Sequence, residues 1–431
     1  MATSYSIGDS PATSSKSRVL QHRFYSSSST FLIRNGSRSF SELKPAVYNH
    51  YENLEYHLSS KFRFPIKTIR FSESALSDFS VTLRNRVNTY FKTAQKTKYA
   101  NREMVFKTIV MMLVYFVPLI LVIASAVDQT WQLFVCFVIS GLGMAGIGMG
   151  VMHDAIHGSY SKNPLINKLL GYTLNLVGAN ATVWRIQHNV LHHSYTNIHE
   201  GDDDINAPFF LRFSPNAEQN GLHAYQHWYA WFFYGLSTLS WVVSKDFIRL
   251  KRYYSLGLLK SKKNYHLSIL KVAAWKVVYL CLALGLPILI SPFGPGEIFL
   301  AFLLQHFVTG LSITLVFQTA HVMPDMAFPQ ADEHGMVEGE RMLHQLATTS
   351  NYSEKSRIFS WMIGGLNYQV EHHLFPDICH VHYREIAPIV KATAAEFNIP
   401  YYSKKTFFDA LKAHFQMLYF LGNAKLEPVK A

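Results

Sequence analysis

The sequence contains two uncharged runs, each as long as a membrane-spanning helix. Thr108–Val127 has 20 residues and Trp131–Val151 has 21, and only three residues separate them. A helix needs about 20 apolar residues to cross a hydrocarbon core of roughly 30 Å. The chain is therefore predicted to be a membrane protein whose first two spans form an antiparallel hairpin.

A second apolar pair follows later in the chain. Val272–Ser291 and Ile298–Ala320 are each long enough to span, and a proline- and glycine-rich turn separates them. Two further apolar segments, Leu165–Val183 and Trp228–Val243, contain polar residues or are short, so they are predicted to be interfacial or re-entrant helices. The expected fold is an all-α membrane protein with four transmembrane helices in two hairpins.

The distribution of charge predicts how these spans are oriented. The chain has 40 Lys and Arg against 28 Asp and Glu, and the basic residues concentrate in residues 1–107 and in the loop 245–263. The turns 128–130 and 292–297 contain neither Lys nor Arg. The positive-inside rule therefore places both termini and the long middle loop in the cytoplasm. A nucleic-acid partner is not expected, since the sequence has no zinc-finger or RNP-like motif.

Many of the 21 histidines fall in clusters beside the predicted spans. The patterns are HxxxH after the second span, HxxxHH in the middle loop, and QxxHH after the fourth span, which itself ends in a histidine. The candidate metal ligands are His153, His157, His188, His192, His193, His321, Gln369, His372 and His373. All of them lie on the predicted cytoplasmic face, although that topology was derived only from hydropathy and Lys/Arg counts.

The spacing of these histidines favours two metal ions. In a helix, residues four apart lie on one face, so His153 and His157 reach one metal region, and so do His188 and His192. His193 points about 100° away from its neighbour, toward a second metal or another side of the first. Neutral imidazole binds Fe, Zn, Cu and Ni, and eight histidines exceed the four ligands of a tetrahedral zinc site. The sequence therefore predicts a di-metal site held in a cytoplasmic helical cap.

Other polar residues are candidates for supporting roles. Acidic residues near the clusters are expected to accept hydrogen bonds from the ligand imidazoles. These are Asp154, Asp202, Asp203, Asp204 and Glu371. His306 lies inside the fourth span, where a polar residue is a functional candidate, and the histidines outside the clusters are expected to be structural or exposed.

The three motifs, in this order and with a membrane hairpin between the second and third, resemble the histidine boxes of the membrane fatty acid desaturase family. The resemblance extends over about residues 48–420. Gln369 in place of the first histidine of the third box resembles the front-end type, which acts on fatty acyl or sphingolipid chains. Phe375-Pro376 and the segment 184–189 also resemble that type.

The resemblance implies an O2-dependent desaturase that introduces a cis double bond into an acyl-CoA or an acyl-lipid. It also implies two Fe ions with the nine positions named above as the ligand set, in which the amide of Gln369 is a weak ligand. The HPGG motif of a fused cytochrome b5 domain does not occur in the sequence. Electrons are therefore expected to come from a separate cytochrome b5 or a ferredoxin.

Two alternatives stay open at this point. One is a di-iron lipid hydroxylase or another oxygenase with the same boxes. The other is a membrane metal transporter or a zinc-dependent receptor, although transporters need polar residues at mid-membrane and the first two spans contain no charge. Metal analysis separates the classes, because zinc alone contradicts a desaturase.

The chain is predicted to divide into a tail and one membrane domain. Residues 1–44 are rich in Ser and Arg, which is typical of a disordered tail or of a transit-like segment, and residues 45–425 form the expected desaturase domain. The predicted location is a multi-pass position with cytoplasmic termini, in the endoplasmic reticulum of a eukaryote or the plasma membrane of a bacterium. Residues 1–40 are the candidate for organellar targeting instead.

Overall fold

The computed structural model describes residues 69–73 and 76–423, so the predicted tail at 1–44 lies outside the described residues. The described part is mostly helical, which confirms the helical class. Four of its helices are long and apolar enough to cross a membrane: Arg102–Ile123, Thr130–His157, Lys262–Ile290 and Pro295–His321. They are called the first to fourth spans below.

The other elements are short helices and two small sheets. The remaining helices and helical turns are Asp78–Thr93, Pro164–Gly171, Tyr172–Val177, Ala181–Arg185, Ile186–His192, His193–Tyr195, Gly221–Tyr225, Gln226–Gly235, Ser237–Ser240, Trp241–Lys245, Asp246–Ser255, Arg341–Thr348, Arg357–Met362, Gln369–Leu374, His380–His382, Tyr383–Glu396 and Phe407–Asn423. Two parallel strand pairs join Arg70–Phe71 to Met336–Val337 and Asn351–Tyr352 to Ser403–Lys404.

The spans correspond to the predicted apolar runs, but their ends differ because polar residues cap or extend the helices. The first span begins before the uncharged run because the Asn101 side chain accepts a hydrogen bond from the backbone N–H of Met104 at 3.0 Å. The second span continues beyond its run and ends at Gly158, whose φ of 76° suits a helix C-terminus. Its final turns therefore carry the HxxxH motif.

Small residues allow the second span to pack closely against two others. A Cβ atom on Gly141 would lie 2.8 Å from the carbonyl oxygen of Gln305 in the fourth span. Thr309 donates a hydrogen bond to the Gly141 carbonyl at 2.9 Å, and Ser140 donates to the Tyr115 carbonyl of the first span at 2.9 Å. Such small-residue contacts and interhelical hydrogen bonds are typical of helix packing in membranes.

Large apolar side chains remain exposed on the outer faces of the spans. Phe106 and Ile120 in the first span are 62% and 57% exposed, and Leu289 in the third span is 81% exposed. Apolar surface on this scale needs a nonaqueous environment. Together with the length of the four helices, it indicates a membrane protein.

His306, the candidate inside the fourth span, lies apart from the other histidine clusters. Its Nε2 atom is 2.7 Å from the Tyr279 hydroxyl of the third span, and its Nδ1 atom is 3.1 Å from the Thr238 hydroxyl. Both ring nitrogens therefore have partners, and the side chain links the fourth span to two neighbouring elements.

Candidate metal centre

The histidine motifs lie on four separate elements that meet at one place. His153 and His157 occupy the last turns of the second span, and His321 ends the fourth span. The middle motif lies on Ile186–His192 and the residue after it, and the third motif lies on Gln369–Leu374. The eight side chains are buried apart from His157, which is half-buried.

One group of histidines could hold a first ion. The ligand atoms of His153, His157, His188 and His372 all lie within 4.8 Å of one another. The Nε2 atoms of His153 and His188 are 3.1 Å apart. Two imidazole nitrogens bound at roughly 2.0–2.1 Å and at right angles to one ion would be about 3 Å apart. The observed separation fits a shared metal.

A second group lies next to the first. His192, His321 and His373 also present ligand atoms within 4.8 Å of one another. His193 lies between the groups: its Nε2 atom is 2.9 Å from that of His372 and 3.2 Å from that of His188, and it also groups with His373. The arrangement thus offers two adjacent ligand sets with a histidine between them.

The middle motif lies where these groups meet. His188 joins the first group and His192 joins the second, and the two also form a group with Asp204, which lies 3.6 Å from the Nδ1 atom of each. The expectation that both reach one region therefore holds on the Asp204 side. Their division between the other two groups is not what α-helical spacing predicts, because Ile186–His192 is a π-helix, whose wider turn changes the angle between residues four apart. A π-turn depends on tertiary packing, and the histidine spacing alone gave no signal of it.

Hydrogen bonds on the outer side of the rings fix how the histidines point. His192 donates from Nδ1 to Asp202 at 3.0 Å, and His373 donates from Nδ1 to Gln345 at 2.7 Å. The Nδ1 of His321 donates to the Thr348 carbonyl at 3.1 Å, and the Nδ1 of His372 lies 3.0 Å from the Tyr383 hydroxyl. In each case the Nε2 atom is left to face the centre, as in metal sites whose ligands have outer partners.

Several ring nitrogens of these histidines have no partner among the described residues. They are the Nε2 atoms of His157, His192, His321 and His373 and the Nδ1 atom of His193. A buried polar atom without a hydrogen bond is costly. Five such atoms in one cluster fit a metal centre, because ions would satisfy them.

Burial controls the charge of most of these rings. It lowers the pKa of His188 to about 3 and holds the pKa values of His193, His372 and His373 well below the ordinary range. Burial also lowers the pKa of His192, but the carboxylates of Asp202 and Asp204 outweigh it and raise the value to about 9. The cluster is therefore largely neutral, as metal ligation requires.

Gln369 lies one turn before His372 on the same helix. Its side chain is fully buried, and neither amide atom forms a hydrogen bond with a described residue. The structure therefore places an amide without a protein partner next to the third histidine motif.

Of the acidic candidates, Asp202 and Asp204 lie beside ligand histidines, whereas Asp203 and Glu371 bind other side chains. Asp202 bonds directly to His192, and Asp204 lies 3.6 Å from the Nδ1 atom of His188. Asp203 instead pairs with Arg249 at 3.0 Å, while Glu371 accepts hydrogen bonds from Asn351 and Tyr401. Asp154 lies 3.9 Å from His153, but its closer partners belong to the network described next.

A buried polar network behind the first group was not anticipated. Asp154 accepts hydrogen bonds from Cys379 at 2.9 Å and from His380 at 2.7 Å, and the other ring nitrogen of His380 is 2.9 Å from Lys107. Lys107 was interpreted as a cytoplasmic flanking charge, yet it is fully buried in the first span. Lys107 comes directly before the uncharged run, and this position in the sequence could have suggested that its side chain is buried inside the protein.

A cavity of about 490 Å³ lies beside the histidines and includes His188 in its wall. Aromatic and aliphatic residues form most of the lining, and polar residues from 203–206 and 245–249 form one part of it. A second, small apolar cavity of about 20 Å³ shares Trp184, Trp241, Ile313 and Phe317 with the large one. The Trp184 ring stacks on His188 at 4.3 Å, so this shared wall lies at the histidine cluster.

The fold and the site define a mostly helical membrane protein with a buried polyhistidine centre. Residues 129–405 match the fatty acid desaturase family. The chain belongs to that family, and the predictions of a front-end type and of an oxidoreductase that desaturates fatty acyl chains are confirmed.

Relatives from several kinds of organism show this similarity. The chain is 34% identical to an acyl-lipid (8-3)-desaturase of Physcomitrium patens over 84% of this chain and 75% of the relative. It is 33% identical to an sn-1 linoleoyl-lipid 6-desaturase of Arthrospira platensis over 79% of this chain and 91% of the relative. An acyl-lipid (8-3)-desaturase of Mortierella alpina is 30% identical, over 80% of this chain and 78% of the relative.

Proposed function

We propose that the chain is a di-iron desaturase that acts on acyl chains carried by membrane lipids. The observation that carries this proposal is the pair of adjacent histidine groups joined by His193, with ring nitrogens that lack partners among the described residues. His153, His157, His188 and His372 would hold one iron, and His192, His321 and His373 the other. Gln369 would complete the set as a weak or water-mediated ligand.

Iron suits this donor set better than a structural zinc ion does. Imidazole binds several transition metals, but structural zinc sites are closed tetrahedra with four ligands. A di-iron centre, when bound, would supply the O2-dependent oxidation that removes two hydrogens from neighbouring methylene groups. The protein itself fixes the imidazoles through Asp202, Gln345, Thr348 and Tyr383.

The cavity offers a path for an acyl chain past this centre. Aromatic and aliphatic side chains form most of its wall, and the polar residues at 203–206 and 245–249 form one part of it. The hydrocarbon would lie along the apolar wall, and the carbonyl end would face the polar part. Trp184 and Phe317 pack on His188 and would exclude water from the reacting carbons.

The topology proposed here keeps four spans in two hairpins, a cytoplasmic cap and cytoplasmic termini. His157 and His321 end the second and fourth spans, and both belong to the same centre, which supports placing these two ends on one side of the membrane. The compartment would be the endoplasmic reticulum in a eukaryote or the plasma membrane in a bacterium. The proposal also includes the division of the chain into a tail at 1–44 and a desaturase domain at 45–425. Residues 1–40 are the proposed segment for organellar targeting.

Relatives named acyl-lipid desaturases support a lipid carrier over acyl-CoA. Electrons would come from a separate cytochrome b5 or a ferredoxin.

The test is to express the full chain in a host supplied with defined fatty acids and to analyse both metal and product. We expect about two irons per chain and new cis double bonds, located by mass spectrometry in lipid-bound acyl chains. Hydroxylated products at the same iron content would instead support an oxygenase. Zinc without iron would contradict the proposal.

Asp202→Asn is expected to weaken iron binding through His192. Loss of a hydrogen-bond acceptor behind a ligand histidine typically costs 10–100-fold in metal affinity or activity. Iron retention during dialysis against a chelator measures the effect. Glu338→Gln, at an exposed acidic position, is the control and should retain iron as the unaltered chain does. Equal retention in Asp202→Asn would show that this hydrogen bond does not support the centre.

A further inference from the structure

Lys245 is a cation in the wall of the large cavity whose ammonium group has no hydrogen-bond partner among the described residues. It ends the helical turn Trp241–Lys245 and lines the same cavity as His188. Its ammonium nitrogen lies 5.0 Å from the centre of the Trp241 ring. Among the residues that the structure describes, none forms a hydrogen bond or an ion pair with it. Burial lowers its pKa to about 8, against the opposing effect of the carboxylates of Asp204, Asp203 and Asp246, so it is mainly protonated at pH 7.

The other charged residues in this wall are already engaged. Asp203 pairs with Arg249 at 3.0 Å and also accepts a hydrogen bond from Tyr253 at 2.8 Å. Asp204 lies 3.6 Å from both His188 and His192 and accepts a short hydrogen bond from Gln187. These contacts leave Lys245 as a donor available to a molecule in the cavity.

The chemistry of the ammonium group indicates what kind of group it would bind. Asp203 is held by Arg249 and also by Arg252 at 3.1 Å, and Asp204 lies beside two histidines, so both carboxylates have other partners. An ammonium group donates hydrogen bonds and accepts none, so its ligand in the cavity must be an acceptor. The carbonyl oxygen of an acyl chain is such an acceptor.

Lys245 also lies where a carbonyl would be expected. Trp241, which its ammonium covers, lines the large cavity together with Trp184, the residue that stacks on His188. An acyl chain that lies along the apolar part of this cavity would pass His188 and reach the polar part with its carbonyl end. A donor fixed in that part would hold the carbonyl at a constant distance from the histidine centre.

We propose that Lys245 is a specificity-determining residue that anchors the acyl carbonyl oxygen and so fixes which carbons lie beside the histidine centre. This inference rests on the proposed function, because it takes an acyl chain to be the occupant of the cavity. The shared chemistry is the carbonyl of an ester or a thioester.

The test measures binding separately from catalysis. Equilibrium dialysis of the full chain in detergent gives Kd values for 1-linoleoyl-lysophosphatidylcholine and for its 1-O-octadecadienyl ether, which lacks the carbonyl. Linoleoyl-CoA is the third probe and distinguishes a thioester from an ester source. The variants are Lys245→Met and Lys245→Arg, and Lys251→Met is the matched control because Lys251 is exposed and outside the cavity wall.

A hydrogen bond from a charged donor predicts that the unaltered chain binds the ester about 10–100-fold more tightly than the ether. Lys245→Met should bind the ester and the ether equally, with the affinity that the unaltered chain has for the ether. Lys245→Arg and Lys251→Met should still bind the ester more tightly than the ether. In active membranes, Lys245→Met should also give double bonds at more than one position. A Lys245→Met chain that still prefers the ester would overturn the anchor. An unaltered chain with the ester preference but no desaturated product would overturn the proposed function and leave the anchor supported.

Discussion

Replacing His372 by alanine is expected to abolish desaturation while the protein remains inserted in the membrane. His372 belongs to the first histidine group and lies 2.9 Å from His193, so its loss affects both ligand sets. The loss of activity should exceed the roughly 10–100-fold cost of removing an outer hydrogen-bond partner. Product yield and iron per chain, measured in the same membrane preparation, check the prediction.

The matched control for this substitution is His334→Ala. His334 is exposed and lies outside the histidine groups of the described residues, so this variant should retain full activity and iron. The comparison separates loss of a ligand from general sensitivity to histidine replacement. Full activity and normal iron in His372→Ala would show that the proposed ligand set is wrong.

The second large effect is expected for Gln369→His, which should retain iron but lose about tenfold or more of the activity. The Gln369 amide is buried without a protein partner, one turn from His372. An imidazole there would add a full-strength nitrogen ligand and could close a coordination position that O2 needs. Since Gln and His differ only modestly in size and helix propensity, the helix itself should be little disturbed.

Gln369→Ala shows whether the amide itself contributes. If the amide only positions the helix, Ala and His variants should both remain active. If it acts as a weak ligand, both should lose activity, and the His variant should bind iron at least as strongly as the unaltered chain. Activity of Gln369→His equal to that of the unaltered chain would remove the argument for a special role of the amide.

The uncharged runs were enough to predict the four apolar helices, because membrane-spanning helices need a length and a hydropathy that few other structures require. Their ends were less predictable. Capping by Asn101 and termination at Gly158 depend on single side chains and backbone angles. The largest difference was at the first span, where Lys107 lies inside the helix and bonds to His380.

Within the candidate centre, histidine spacing predicted which residues would come together but not how they would be divided. The division of His188 and His192 between groups depends on a π-turn, which has no simple sequence pattern. Outer partners such as Gln345 and Tyr383 were also missed. Both residues lie outside the histidine motifs in the sequence, so their contacts with the ligand histidines can be seen only in the structure.

The division of the centre among four elements has a consequence for biogenesis. The first histidine group needs His372 and the second needs His373, whereas the other members of both groups lie at or before His321 in the sequence. During synthesis, all four spans are made before either ligand set is complete. If the centre binds metal as proposed, loading would follow synthesis of all four spans, and a chain stalled before residue 372 would lack a complete site in either histidine group.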